Sequence, residues 1–221
     1  MDTAFLEWNM LAHVLLGSLA LLGGLVAIIS TKGSRLHVRG GWTFALAMIP
    51  VVLTTLIAMA HEFLPLAVVL AVAEIYLIPS ALLSVNHDKR YFTALNLLVM
   101  PIAALLALFA AIQFVRFNFV EGQALFIGPL VIAVLFGSLL FQDIRMLKRR
   151  PVMRNFWLRR HFTRMIFAYT IGVMALVRIG IDFGLSLEMT VILPLLIATG
   201  FIAWIYRLYP LQPPGAAPQE A

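Results

Sequence analysis

The sequence predicts an all-α membrane protein, a polytopic bundle of about seven transmembrane helices. Composition is the first reason, because 62% of the 221 residues are hydrophobic, only 12% are charged, and the mean hydropathy is +0.99. Soluble domains carry about 25% charged residues. The second reason is that apolar runs of about 20 residues, the length that crosses the hydrocarbon core, alternate with short polar breaks. These runs cover residues 8–29, 42–60, 64–84, 93–114, 125–141, 165–183 and 190–207.

The polar breaks and the chain end set the predicted domain limits. The fifth run is the shortest, and the longest polar interval follows it at residues 145–165, where half of the Lys and Arg residues lie. Residues 210–221 are rich in proline and have no periodic apolar face, which predicts a disordered tail. Residues 1–209 are therefore predicted to form one seven-helix membrane domain.

Basic residues are distributed unevenly between the breaks. Thirteen of the 16 Lys and Arg residues lie in the first, third and fifth breaks, whereas the even breaks are short and lean acidic. The positive-inside rule then places the N-terminus outside and the C-terminus in the cytoplasm. The basic residues are interpreted as topology signals and contacts to anionic phospholipid, with the bilayer as partner and no nucleic acid. The arginines assigned to lipid headgroups are Arg35, Arg39, Arg159, Arg160 and Arg164.

Five histidines are the candidate cofactor ligands, because the chain has no cysteine and therefore no thiolate site. His13 shares a helix face with small residues, and His61 ends the second run on the same side. His37 and His161 stand at helix starts on the opposite side. Either pair is a candidate for b-type haem or copper, since bis-imidazole haem takes one His from each of two helices. A third set, His37, His87 and His161, is a candidate zinc site with water as the fourth ligand.

Ionised side chains within the apolar runs are the second group of candidates. Glu74 lies near the middle of the third run, where a carboxylate costs about 3 kcal/mol unless it is protonated or paired. Arg178 and Asp182 have the spacing of a helical ion pair drawn towards the outer surface. The alternative is a buried pair between Glu74 and Arg178 that braces the bundle.

Three blocks of the sequence, residues 13–23, 32–48 and 157–169, resemble a family of bacterial predicted membrane proteins classed as domain of unknown function 2306. The resemblance implies a multi-pass protein of the bacterial inner membrane and no particular activity. The positions that match the motifs of the family are His13, His37, Gly40, Arg160, His161, Arg164 and Met165.

Three function classes stay open, and the residues do not decide whether the protein is an enzyme. The first is a redox or metal-handling protein that binds haem or copper through the histidines. The second is a non-enzymatic transporter, lipid-binding protein or accessory subunit, in which Glu74 lines a polar path. The third is a membrane-embedded zinc hydrolase. A homo-oligomer or a larger membrane complex is compatible with each of the three.

Overall fold

The computed structural model of the chain describes residues 3–122, 126–149, 151, 153, 155–180, 184 and 186–213. Within these residues the fold is entirely helical, with no β-strand, which confirms the all-α prediction. Two of the helices, α4 and α6, continue as single π-helical turns at Arg116–Val120 and Leu176–Gly180. The α-helices are α1 (Thr3–Ile29), α2 (Arg35–Met59), α3 (Pro65–Val85), α4 (Phe92–Val115), α5 (Gly128–Lys148), α6 (Phe156–Ala175) and α7 (Leu187–Leu208).

Six of the seven described helices are long and apolar enough to cross a membrane, and α6 is the exception. The multi-pass membrane character of the chain is therefore confirmed. A seventh span and the orientation of the N-terminus stay predictions. Helix α6 differs because its first turns carry Arg159, Arg160 and Arg164.

Two helix boundaries depart from the prediction on either side of the basic interval. Helix α5 continues seven residues past the predicted end at 141, to Lys148, and α6 begins at Phe156 instead of 165. Most of the interval at 145–165 is thus helical. The physical reason is that Asp143, Arg160 and Arg164 pair with one another inside the fold, so their charges do not require a solvated loop.

The described residues group into two compact units, and the boundaries fall within α3 and α6. One unit comprises residues 1–75 and 168–183, and the other comprises residues 76–167 and 184–221. The predicted single domain at 1–209 therefore stays a prediction. Residues 214–221 of the predicted tail lie outside the described residues.

In the first unit α1 packs closely along α2 because small residues face each other. A Cβ atom added at Gly40 would lie 2.7 Å from the Gly23 carbonyl oxygen, so this approach requires glycine. Ala20 is fully buried, and a Cβ atom at Gly24 would lie 2.5 Å from the Tyr169 ring. The predicted role of small residues on the inner face of α1 is confirmed at these positions.

In the second unit α5 packs against α4 and α7. Glu188 at the start of α7 accepts a hydrogen bond from the Ile127 amide at 2.6 Å, which satisfies a free N–H at the start of α5. Arg159 on α6 donates to the carbonyl oxygens of Tyr206 and Tyr209 at the end of α7. These contacts fix the ends of the helices that carry the buried charges.

Candidate functional site

A buried aspartate on α5 is the centre of the candidate site. Asp143 has no exposed surface and lies on the same helix face as Phe136, Leu139 and Met146, all of which are buried. The spacing of these four residues, three or four apart, is that of one side of an α-helix. The sequence therefore places a carboxylate in the middle of an apolar stripe, where it requires partners.

Arg160 on α6 is the first partner, and its guanidinium is saturated. Its Nε and Nη2 donate to Asp143 Oδ1 at 3.2 and 3.1 Å. Nη1 donates to the Ser80 carbonyl oxygen and to Ser84 Oγ, both at 2.6 Å. Nη2 also donates to Asn96 Oδ1 at 2.8 Å. These five bonds match the five N–H donors of an arginine, so Arg160 joins α3, α4, α5 and α6.

Helices α3 and α4 hold the acceptors for Arg160 in place. Ser84 Oγ donates to the Ser80 carbonyl oxygen at 2.9 Å, one turn earlier in α3. Asn96 Nδ2 donates to the Phe92 carbonyl oxygen at 2.8 Å, which turns its Oδ1 towards the arginine. Because each acceptor is tied to its own helix, the guanidinium enters a preformed polar position.

Arg164, one turn after Arg160, is the second partner of Asp143. Its Nη2 donates to the same carboxylate oxygen, Oδ1. The other oxygen, Oδ2, accepts a hydrogen bond from the Tyr76 hydroxyl at 2.6 Å. Arg164 and Tyr76 have no exposed surface, yet Nε and Nη1 of Arg164 have no hydrogen-bond partner among the described residues. All N–H donors of Arg160 are therefore hydrogen-bonded, whereas two nitrogens of Arg164, hereafter its open donors, have no described acceptor.

The charges of the cluster do not cancel. Each arginine carries one positive charge, and Asp143 supplies one negative charge against the two. Tyr76 is a neutral donor in this arrangement. The group of Tyr76, Asp143, Arg160 and Arg164, hereafter the buried charge cluster, thus carries one excess positive charge away from solvent.

The structure corrects the assignment of two of the five arginines to lipid headgroups. Arg160 is 4% exposed, Arg164 is fully buried, and both bind Asp143. Arg159 lies with its guanidinium 4.3 Å from the Tyr206 ring centroid and binds the end of α7. The assignment is therefore wrong for the buried Arg160 and Arg164, and for the half-buried Arg159 it stays a prediction. Arg35 and Arg39 are exposed on α2, as a headgroup contact requires.

Sequence reasoning missed Asp143 altogether. The predicted fifth run ends at residue 141, so Asp143 lies in the polar break that follows it. The available signal was its spacing from Phe136, Leu139 and Met146, which continues the apolar face of α5. A single acid on an otherwise apolar face predicts a buried partner of opposite charge.

Glu74 is a second buried acid, in the other compact unit. It is 3% exposed, and neither of its carboxyl oxygens has a hydrogen-bond partner among the described residues. Arg178 is exposed on the π-helical turn after α6. The predicted brace between Glu74 and Arg178 is therefore not formed. Asp182, the other predicted partner of Arg178, lies outside the described residues.

The histidines of the first unit have ordinary positions. His13 Nδ1 lies 3.0 Å from Thr54 Oγ1 on α2, and Asn9 donates to the Thr54 carbonyl oxygen at 3.0 Å. His13 thus helps to hold α1 against α2, which is the alternative to a ligand role. His61 is exposed in the turn that follows α2. The pairing of His13 with His61 around a haem or copper stays a prediction.

The remaining histidines bind backbone carbonyls near helix ends. Lys32 and His37 both donate to the Ala27 carbonyl oxygen near the end of α1. Partial burial lowers the pKa of the Lys32 ammonium. His161 Nδ1 donates to the Ala81 carbonyl oxygen at 3.1 Å. His87 donates to the Ser84 carbonyl oxygen and stacks on the Trp157 ring at 4.4 Å between centroids.

No group of three or more His, Asp or Glu side chains that could hold a metal ion occurs in the part of the chain that the structure describes. The zinc site at His37, His87 and His161 stays a prediction, because His37 belongs to one compact unit and the other two histidines to the second. His37 and His161 as haem or copper ligands stay a prediction. Among the described hydrogen bonds, the histidine rings bind backbone or hydroxyl oxygens, whereas the buried charge cluster joins several charged side chains.

Comparisons of the chain with protein-family models, with curated proteins and with solved structures found no match. The resemblance to the bacterial membrane family therefore stays a prediction. Function has to be inferred from the buried charge cluster and Glu74 themselves.

Proposed function

We propose that this protein is a non-enzymatic transporter of the bacterial cytoplasmic membrane that moves protons through its helical bundle, with Glu74 as the proton carrier. The observation that supports the proposal is the environment of Glu74, which is 3% exposed and has no described partner for either oxygen. Acidic residues inside membrane helices commonly belong to proton relays.

The position of Glu74 along α3 strengthens the argument. It is the tenth of 21 residues, so about 14 Å of helix separates it from the start of α3 at 1.5 Å per residue. The hydrocarbon core is about 30 Å thick, and Glu74 therefore belongs near its midplane if α3 crosses it upright. A carboxyl group at that depth is stable only while it holds a proton or while water or a cation reaches it. Alternation between those conditions is what a proton carrier requires.

The orientation and the location belong to the same proposal. Most basic residues that remain exposed lie in the first, third and fifth breaks, which supports an outside N-terminus and a cytoplasmic C-terminus. A topology reporter fused after Ala221 is expected to be active in the cytoplasm. An external position of that reporter would contradict the orientation without affecting the proton proposal.

Proton flux into proteoliposomes tests the proposal directly. With an imposed potassium diffusion potential, the wild-type protein is expected to acidify the lumen faster than empty liposomes, as recorded by a pH-sensitive dye. Glu74→Gln should reduce the flux to the empty-liposome rate, and Glu74→Asp should retain part of it. Glu121→Gln is the control, because Glu121 forms an outlying ion pair with Arg116. Equal flux in wild type and Glu74→Gln would refute the proposal.

The haem or copper interpretation is tested on the same preparation. A visible absorption spectrum and elemental analysis of the purified protein would show a Soret band or stoichiometric metal if it is correct. Loss of that signal in His13→Ala or His161→Ala would identify the ligand. No Soret band together with no stoichiometric iron or copper would remove the redox class.

A further inference from the structure

Arg164 has N–H donors that no residue in the described part of the chain satisfies. The residue has no exposed surface, and only Nη2 donates to a described group, the Asp143 carboxylate. Nε and Nη1 are buried without a described partner. Buried donors are nearly always paired, so two open nitrogens on one guanidinium indicate a partner of another kind.

Arg160 shows that the open donors are not a general property of the buried charge cluster. It binds the same carboxylate oxygen as Arg164, from one helical turn away, and all of its donors are used. Helices α3 and α4 therefore provide hydrogen-bond acceptors for the buried guanidinium of Arg160. Among the described residues, Arg164 has one carboxylate oxygen as its acceptor and no other.

Charge gives the chemical class of the missing partner. The cluster has one positive charge in excess, because Asp143 cannot neutralise both arginines. A cation would be repelled, and a neutral hydrogen-bond acceptor would leave the charge uncompensated in a region that excludes water. A single negative charge would both balance the cluster and accept from Nε or Nη1.

We infer that Arg164, with the buried charge cluster, forms a binding site for a small monovalent anion. Small size follows from the complete burial of the arginine among packed side chains. Halides, nitrate and formate share this chemistry. Anion binding at Arg164 goes beyond the proposed proton movement and is argued from other side chains, since Glu74 is not a member of the buried charge cluster.

Thermal unfolding of the full-length protein in detergent tests this site. The buffer contains gluconate as the bulk anion, and sodium chloride, nitrate or formate replaces sodium gluconate at constant ionic strength. Tm is followed by the fluorescence of the four tryptophans. Wild type is expected to show a saturable rise in Tm with at least one of the three small anions, because a ligand that binds only the folded state stabilises it.

Variants locate the effect. Arg164→Gln removes the open donors and the excess charge, and should abolish the saturable rise. Asn96→Asp adds a carboxylate beside Arg160 Nη2 and leaves Arg164 in place, and is expected to weaken the apparent anion affinity at least tenfold. This second variant keeps the test valid if Arg164→Gln does not fold. Arg35→Gln, an exposed arginine on α2, is the control and should respond like wild type.

Three results would overturn the site. The first is a wild-type Tm that does not respond to any of the three anions, which would mean that water alone meets the open donors. The second is the same saturable response in wild type, Arg164→Gln and Asn96→Asp. The third is a response to sulfate at concentrations where the monovalent anions have none, which would contradict the charge balance.

Discussion

The two arginines of α6 share one carboxylate oxygen but have opposite surroundings. Arg160 is held by acceptors from α3, α4 and α5, and it has no donor left. Arg164 contacts Asp143 and has two nitrogens without a described partner. Two identical side chains, one helical turn apart, thus differ in the number of hydrogen bonds that each guanidinium donates to described residues. The difference indicates that Arg160 stabilises the fold, whereas Arg164 is available to a ligand.

Removal of the shared carboxylate is expected to have the largest effect. Asp143→Asn leaves two buried cations without a counter-charge, which costs about 5 kcal/mol or more of unfolding free energy, since breaking one buried pair costs about 3–5 kcal/mol. The expected result is the loss of monodisperse protein after extraction, measured by size-exclusion chromatography. Asp88→Asn is the control, because its side chain is 91% exposed. A normal yield of Asp143→Asn would show that the cluster is not a fold determinant.

Single substitutions of the two arginines separate their roles. Arg160→Gln should lower the unfolding free energy by about 3–5 kcal/mol, because Ser80, Ser84 and Asn96 lose their buried donor. Arg164→Gln should change it by only about 1 kcal/mol, because the lost hydrogen bond is offset by removal of the excess charge. The two Tm values, measured in the gluconate buffer without small anions, compare the variants. A larger loss in Arg164→Gln would reverse the interpretation of the two residues.

Removal of the Tyr76 hydroxyl is expected to have an effect between those of the Arg160 and Arg164 substitutions. Tyr76→Phe removes the 2.6 Å hydrogen bond to Asp143 Oδ2 and keeps the ring that packs against Phe136. The loss should be about 2 kcal/mol, as for other hydrogen bonds to a charged group. Tyr91→Phe, at an exposed ring, is the matched control. A Tyr76→Phe protein as stable as wild type would mean that Asp143 is satisfied by the arginines alone.

The apolar part of this fold could be predicted from the sequence, and the charged part could not. Helices α3 and α4 begin and end within one residue of the predicted runs, because hydrocarbon-crossing length is a local property. Arg160 and Arg164 fall in the fifth polar break of the sequence, where they are interpreted as topology signals and headgroup contacts. Their partner, Asp143, lies on another helix, and pairing across helices leaves no local signature. The acceptors of Arg159 were not predicted either, because they lie about 50 residues further along the chain.

The composition of α6 has a consequence for the biogenesis of this protein. It is the one described α-helix that does not qualify as a membrane span by its own hydropathy. An arginine at the centre of an isolated helix opposes its transfer into the bilayer by about 2.5–3.5 kcal/mol, and α6 carries three arginines in its first half. Asp143, which offsets that cost, is carried by α5, the helix synthesised immediately before α6. If α6 crosses the bilayer, as the sequence predicts, we expect it to be integrated together with α5 as a helical hairpin, because separation of the two helices would leave the charges of each without a partner.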